Sequence, residues 1–363
     1  MRIVADENIP LIEHYFSPHG NLILKPGRNI THTDLIDADI LLIRSITRVN
    51  QALLENTSVK FVGSTTSGAD HLDTNWLDAH NIQWSVAPGA NAATVAEYVV
   101  CAVAALQKLN VLHTKKIRAG IVGAGTIGQL VAKKLQLFGF DIVVCDPFRT
   151  DIATIPFDEL TDCDLISFHT PLTQNSPHPT YHLVQKRFLQ KQKKGCVLLN
   201  VGRGEVFSFD QLKMYGQKLI WALDVWENEP YIDFEILQQA IIATPHIAGY
   251  SLQSKYRSID MIYQAALRQK IITTSDASQP HYPAKKISLP RAENWRDVVL
   301  AIFDPLAATI EMKEYLITNG HGFDLLRKKY LERYEFGFIE LADVNLPEPD
   351  KKFLKALGIQ ISA

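Results

Sequence analysis

Short apolar runs rich in β-branched residues alternate with polar, helix-compatible segments from the start of the chain; the runs are residues 2–5, 40–44, 60–64 and 83–87. Strands that alternate with helices pair in parallel, because the crossover helix returns the chain to the same end of the sheet. Residues 92–109 then place Val95, Val99, Val103 and Leu106 at helical spacing and read as a buried connecting helix. A second series of runs follows at residues 117–122, 141–145, 164–169, 196–200, 220–224 and 240–244. These are almost continuously apolar, as strands covered on both faces must be. The pattern predicts an α/β protein of two doubly wound parallel-sheet, Rossmann-like lobes with a deep cleft between them.

The pattern changes after Gln279-Pro-His-Tyr-Pro283, where charge becomes denser and residues 323–330 read as an amphipathic helix. A small C-terminal α+β domain over residues 284–363 is expected there, after a dinucleotide-binding domain over residues 92–251. The stretch 173–182 carries two prolines among polar residues and reads as a long loop. A chain of 363 residues with 47% hydrophobic composition is long enough for two or three such cores. With 37 basic and 39 acidic residues, it has no charge footprint for nucleic acid or an anionic membrane. No signal-peptide pattern opens the chain and no apolar run reaches membrane-spanning length, so a cytoplasmic location is expected. Cys101, Cys145, Cys163 and Cys196 lack metal-ligand spacing and read as reduced, buried thiols, with no metal site expected.

Gly123-Ala-Gly125-Thr126-Ile127-Gly128 directly follows one strand and opens a helix over residues 126–138. Its glycines suit a tight turn, close approach of backbone to a pyrophosphate, and close packing of helix on strand. The helix start offers free N–H groups to phosphate. Asp146 closes the next strand, where a carboxylate can accept bonds from the adenine-side ribose hydroxyls and repel a 2′-phosphate. NAD is therefore the expected cofactor, with Arg149 nearby as the one residue that argues the other way.

Three further strand ends carry polar residues. Arg203 lies between Gly202 and Gly204, Glu229 follows the strand that ends at Asp224, and His246 follows the last strand. Oxidation of a secondary alcohol needs a base for the hydroxyl proton, and histidine titrates near neutrality. A carboxylate orients and charges the ring, and arginine offers a planar fork to a carboxylate and its neighbouring oxygen. The three together suit a 2-hydroxy acid. Spacing does not choose between Glu227 and Glu229 for the carboxylate role. Arg44 and Arg48, beside Ser45 and Thr47 at the end of a first-lobe strand, are candidates for binding a substrate phosphate.

The stretches Ile121-Val-Gly-Ala-Gly-Thr-Ile-Gly128, Asn200-Val-Gly-Arg-Gly204, Ala222-Leu-Asp-Val-Trp-Glu-Asn-Glu-Pro230 and Thr244-Pro-His-Ile-Ala-Gly249 resemble the motifs of the D-isomer-specific 2-hydroxyacid dehydrogenases. The resemblance implies that the glutamate before proline, Glu229, is the catalytic one. It also implies a substrate-binding lobe made of residues 1–91 completed by 252–283. Residues 1–10, 41–50, 245–251 and the extension around 323–333 are similar to family members that act on a phosphorylated four-carbon 2-hydroxy acid in pyridoxine biosynthesis. From that likeness Ser45, Thr66 and Tyr250 are expected to touch substrate. Asp146, Thr170, Val201, Gly202, Arg203, Asp224 and Gly249 are expected at the cofactor, and the extension is expected to form a homodimer. Gly202 departs from the many relatives that carry a side chain there. The expectations left beside this one are another phosphorylated 2-hydroxy acid, such as 3-phosphoglycerate, and an NAD-sensing scaffold without turnover.

Overall fold

The structure is a computed structural model that describes residues 1–113, 116–273, 282–320, 322–330 and 332–362. Gln279, Pro280 and His281, where the composition changes, lie outside the described residues. The chain divides into two compact units, Met1–Asn91 with Leu252–Tyr282 and Ala92–Ser251 with Pro283–Ala363.

The first unit is built on five parallel strands, β1 (Arg2–Asp6), β2 (Asn21–Lys25), β3 (Ile40–Ile43), β4 (Phe61–Ser64) and β5 (Gln83–Ser85), in the order β2-β1-β3-β4-β5. The central strands β3 and β4 are buried throughout, whereas β2 lies at an edge and is only half-buried. Its polar ends, Asn21 and Lys25, leave too short an apolar run to announce a strand, which is why the hydrophobic pattern passes over it. One face of the sheet packs Ile3, Ala5 and Phe61 against Ile259, Ile262 and Tyr263 of the helix Leu252–Arg268. The other face packs Val4, Leu41, Ile43 and Val62 against Leu35, Leu54 and Leu77. Gly63 permits the approach of that returning helix, since a Cβ there would stand 2.5 Å from Ile262 Cγ2. Residues far along the chain thus complete the first core.

In the second unit six parallel strands, β6 (Arg118–Val122), β7 (Asp141–Cys145), β8 (Leu165–Phe168), β9 (Val197–Asn200), β10 (Ile220–Leu223) and β11 (Ile242–Ala243), run in the order β11-β10-β9-β8-β6-β7. The order reverses between β6 and β8, and open α/β sheets bind their ligands at the carboxyl ends of strands beside such a reversal. A third sheet of β12 (Lys285–Ser288), β13 (Ile339–Ala342) and β14 (Gln360–Ile361) is also parallel. Among the described residues its apolar side chains pack into the core of the second unit. Leu341, Leu354 and Val299 join the same apolar cluster as Val99 and Val103 of the helix Ala92–Lys108, which is buried on almost every side. The four cysteines are free and buried. Among the described residues no helix is long and apolar enough to cross a membrane, and no cluster of side chains could hold a metal ion.

One polar residue of that buried helix stands out. Glu97 is 4% exposed, and its Oε2 accepts the Phe336 N–H at 3.0 Å. Burial pushes its carboxyl up to about 7, partly offset by the charges of Lys134 and Arg333, while Glu335 adds to the rise. A carboxyl raised above its unfolded value stabilises the fold while protonated and loses that contribution as pH rises from the unfolded value through the folded one. The native protein should therefore weaken between about pH 5 and pH 8 relative to Glu97→Gln, which keeps an acceptor for Phe336 and cannot ionise. The difference should grow toward alkaline pH to at most about 3 kcal/mol, several degrees of melting temperature. Melting curves of the two proteins that stay parallel across that range would contradict it.

Candidate active site

The nucleotide-type turn has the mechanics its sequence suggests. Gly123 sits at φ +88°, and Gly128 is pressed so closely on the preceding strand that a Cβ would stand 1.9 Å from the Gly123 carbonyl oxygen. A Cβ on Gly125, by contrast, would meet no protein atom within 4 Å, so packing within the chain does not demand a glycine there. Gly125 caps the helix Thr126–Leu137 with backbone alone, which leaves the N–H groups of Thr126, Ile127 and Gly128 at a helix start without a side-chain acceptor. Asp146 follows β7 and accepts from Ala124 N–H at 2.7 Å and Phe148 N–H at 3.0 Å, which holds its carboxylate at the turn. The Arg149 guanidinium is taken by both oxygens of Asp151 and by the Ala124 carbonyl, all at 2.6 Å.

The end of β8 carries orphaned polar groups beside this turn. Thr170 Oγ1 and both ring nitrogens of His169 are buried without a hydrogen-bond partner, and burial alone pushes the His169 imidazole down to about 3, so it is neutral. A Cβ on Gly123 would touch the His169 carbonyl at 3.0 Å, which places these groups against the glycine turn. Buried polar groups without partners are costly unless a ligand satisfies them. A glycine not required by packing, a bare helix start, a carboxylate at the second strand and an unpartnered threonine hydroxyl together fit a dinucleotide. The family likeness implies Thr170 as a cofactor residue; nothing in the sequence singles out His169, because an apolar run ending in a single histidine looks like the end of a strand.

Arg203 projects from the turn after β9. Asn200 pins this turn by accepting from Gly202 N–H at 3.1 Å and donating to the Arg203 carbonyl at 2.9 Å. The two flanking glycines bring the turn against its neighbours: a Cβ on Gly202 would lie 2.9 Å from the Thr170 carbonyl oxygen, and one on Gly204 would lie 2.0 Å from the Trp226 backbone. Val201 is buried beside them.

The loop after β10 holds Asp224, Glu227 and Glu229, and the structure gives each a different partner. Asp224 is buried; its oxygens accept from Thr244 Oγ1 at 2.6 Å, Ile247 N–H at 2.8 Å and Ala248 N–H at 2.9 Å. It thereby shapes the turn that carries His246, whose own N–H bonds the Asp224 carbonyl at 2.7 Å and whose φ is +55°. Burial raises the Asp224 carboxyl, against the pull of His246 and those bonds. Glu227 turns away to His182 Nε2 at 2.7 Å and to Phe209 N–H at 3.1 Å. Glu229 Oε2 lies 2.7 Å from His246 Nδ1, and its Oε1 accepts from Trp226 N–H at 2.9 Å. Burial opposes ionisation of Glu229, but the His246 charge and hydrogen bond, the nearby Arg327 charge and the Trp226 bond outweigh it and hold the carboxyl below the ordinary glutamate range.

An ionised carboxylate can only accept, so His246 Nδ1 donates to it and Nε2 carries the lone pair of the neutral ring. Glu205, raised mainly by burial, feels the charges of Glu229, Glu227 and Arg203, which places all of these on one locality. The arrangement supplies a carboxylate-oriented base and a strong cation at the ends of adjacent strands. Tyr250 follows the same turn, with the Arg327 guanidinium over its ring at 5.2 Å, and Gly249 precedes it.

In the first unit the candidate substrate residues cluster at the carboxyl ends of β3 and β4. Arg44 donates from Nε at 2.8 Å and Nη2 at 3.2 Å to Asp6, a fully buried carboxylate, so most of its fork is held in place. Arg48 and Ser45 are exposed, and Arg48 has no hydrogen bond or ion pair among the described residues. Thr66 Oγ1 bonds Gly68 O at 2.8 Å and Ser64 Oγ at 2.9 Å.

Residues 95–248 match the model of the D-isomer specific 2-hydroxyacid dehydrogenase NAD binding domain. An erythronate-4-phosphate dehydrogenase of Coxiella burnetii (strain RSA 331 / Henzerling II) is 42% identical over 98% of both chains. One of Tolumonas auensis is 37% identical over the whole of each. Among solved structures, an NAD-dependent formate dehydrogenase from Staphylococcus aureus in complex with NAD superposes with a TM-score of 0.64 at 23% identity, covering 76% of this chain and 98% of that one. An NAD+-bound 3-phosphoglycerate dehydrogenase of Entamoeba histolytica has the same TM-score at 21% identity, over 78% of this chain and 99% of its own. The likeness to these two is one of fold.

Proposed function

This chain belongs to the erythronate-4-phosphate dehydrogenases, a branch of the D-isomer-specific 2-hydroxyacid dehydrogenase family, and on that premise we propose that it oxidises 4-phospho-D-erythronate to 3-hydroxy-2-oxo-4-phosphobutanoate in pyridoxine biosynthesis. The observation that carries the chemistry is the 2.7 Å bond between Glu229 and His246 Nδ1, which leaves Nε2 as a base. NAD is the cofactor, and when bound it supplies the acceptor for the hydride that leaves C2. His246 Nε2 takes the proton of the C2 hydroxyl as that bond becomes a carbonyl. Glu229 stabilises the imidazolium that results, so the proton is held on the ring rather than returned. Arg203 binds the substrate carboxylate and the oxygen that becomes the carbonyl.

Around the dinucleotide, Gly123, Gly125, Thr126, Ile127 and Gly128 would hold the pyrophosphate and Asp146 the ribose. Thr170, Val201, Gly202, Asp224 and Gly249 would frame the remainder. The engagement of Arg149 by Asp151 supports a preference for NAD, because it leaves that guanidinium already paired. For the substrate, Ser45, Thr66 and Tyr250 are the proposed contacts. Arg48, exposed and unpaired among the described residues, is the better phosphate ligand of the two first-unit arginines. We assign the protein to the cytoplasm and to a homodimer formed by the C-terminal segment, where Ile310, Ile317 and Leu325 are exposed.

The purified protein, sized by light scattering and mixed with NAD and 4-phospho-D-erythronate, should run as a dimer and show the near-ultraviolet absorbance of reduced nicotinamide. Its initial rate should exceed that on 3-phosphoglycerate by at least about a hundredfold, because a site that bonds the hydroxyl and phosphate of one acid leaves those groups unpaired with the other. Equal rates on the two acids, or no reduction with NAD demonstrably bound, would overturn the substrate assignment.

A further inference from the structure

The helix Phe323–Lys329 belongs to the C-terminal segment, yet it is docked on the same apolar cluster as the strands that carry the site. Phe323 and Leu326 are each 1% exposed, and they pack with Met312 and Leu316 among the residues that line β8 to β10. Docking by these two residues carries Arg327 inward. Its side chain is 14% exposed, its Nε is buried without a hydrogen-bond partner, and its ion pair with Asp324 is long, at 3.6 Å. A guanidinium in such surroundings is costly unless other groups compensate it. Those groups are on the catalytic side: the Tyr250 ring 5.2 Å below the guanidinium, and the negative charges of Glu229 and Asp224.

We propose that Arg327 is a positioning residue of the dehydrogenase, a cation brought by the C-terminal segment to support the Tyr250 ring and to keep the Glu229–His246 pair in its working charge state. Around that pair stand Arg203 and Glu205 from the turn after β9, Asp224 from the end of β10, and Arg327, while Glu227 of the same loop as Glu229 is held away by His182 and Phe209. Glu205 and Asp224 are acidic, and each of them favours a proton on the pair. Arg327 counters them from the opposite side in sequence, at a place where Arg203 is committed to substrate. The C-terminal segment is then part of the active site. This rests on the dehydrogenase reading above.

The test compares wild type, Arg327→Met and Arg327→Lys as full-length enzymes, with NAD affinity measured by fluorescence and melting temperature as a control. Arg327→Met should lower kcat by about tenfold or more, leave the KM for 4-phospho-D-erythronate and the NAD affinity within about threefold, and raise the pH at which kcat reaches half its maximum by about one unit. Arg327→Lys should restore that midpoint, since it restores the charge, but only part of kcat, since an ammonium does not stack as a planar fork does. The titration midpoint of the His246 ring, followed by NMR of histidine-labelled protein and assigned with His246→Gln, should rise in Arg327→Met and return in Arg327→Lys. That readout needs no substrate, so a wrong substrate assignment would leave it intact while abolishing turnover. Unchanged ring titration and unchanged kcat would overturn the proposal. So would a raised KM with kcat and midpoint unmoved, which would make Arg327 a direct substrate ligand. If Arg327→Met does not fold, the Arg327→Lys arm decides: a full wild-type kcat with the wild-type midpoint would show that a charge without the stack suffices and overturn the support given to Tyr250.

Discussion

Replacing His246 by glutamine is expected to reduce kcat by about a thousandfold or more while NAD still binds, because a positioned base contributes between about a hundredfold and ten-thousandfold. Glutamine can still donate to Glu229 across the 2.7 Å gap that Nδ1 now spans, so the loop after β11 keeps its partner. It cannot take up a proton. The loss should therefore fall on kcat, with the KM for the acid little altered, and raising the pH should not recover it. Steady-state rates with cofactor affinity measured in parallel check this. Activity within tenfold of wild type would move the base elsewhere, and His182 would be the first candidate, since Glu227 holds it in a second histidine–carboxylate pair.

Arg203→Lys is expected to be nearly as damaging, although it preserves the charge. A lysine offers a point charge where the substrate needs two parallel donors, one face toward the carboxylate and the other toward the oxygen that becomes a carbonyl. Loss of such a donor costs about a hundred- to a thousandfold in rate, and kcat/KM should fall by at least that much, with KM rising as kcat falls. The backbone around position 203 should not move, because Asn200 and the two flanking glycines hold it through main-chain contacts. A variant that keeps kcat and changes only KM would reduce Arg203 to a binding residue. Product formation at saturating acid separates the two cases.

Much of the architecture was legible in the chain. Strands buried on both faces must be apolar at every position, so β3, β4, β8 and β9 announce themselves. The half-buried edge β2 does not. The glycine turn was equally plain, because φ +88° at Gly123 and the contact at Gly128 leave little choice of residue. Gly202 and Gly204 were visible as glycines beside an arginine, but not their reason: each is pressed on a different strand end, and neither contact is local in sequence.

The carboxylates show where local pattern stops. Glu227 and Glu229 are two residues apart in a loop without periodicity, and either spacing could reach a histidine. Family likeness favoured Glu229; the tertiary structure supplies the physical reason, with Trp226 N–H holding Glu229 toward His246 and Phe209 N–H with His182 holding Glu227 away. The neighbours of Arg44 suggest a phosphate ligand, while its pairing with buried Asp6, on another strand, is invisible from them.

By itself, then, the sequence determined the parallel α/β plan, the glycine turn with its carboxylate, and the strand ends that bear Arg203, the two glutamates and His246. All of these depend on spacing within one strand, turn or helix, and the chain carries that information locally. Only the tertiary structure decided which glutamate meets the histidine, that Asp224 shapes the His246 turn, and that Arg327 arrives from the C-terminal segment to stand over Tyr250. Those depend on which surfaces are driven together when the apolar faces are buried, and residues distant in sequence meet there without any pattern between them to read.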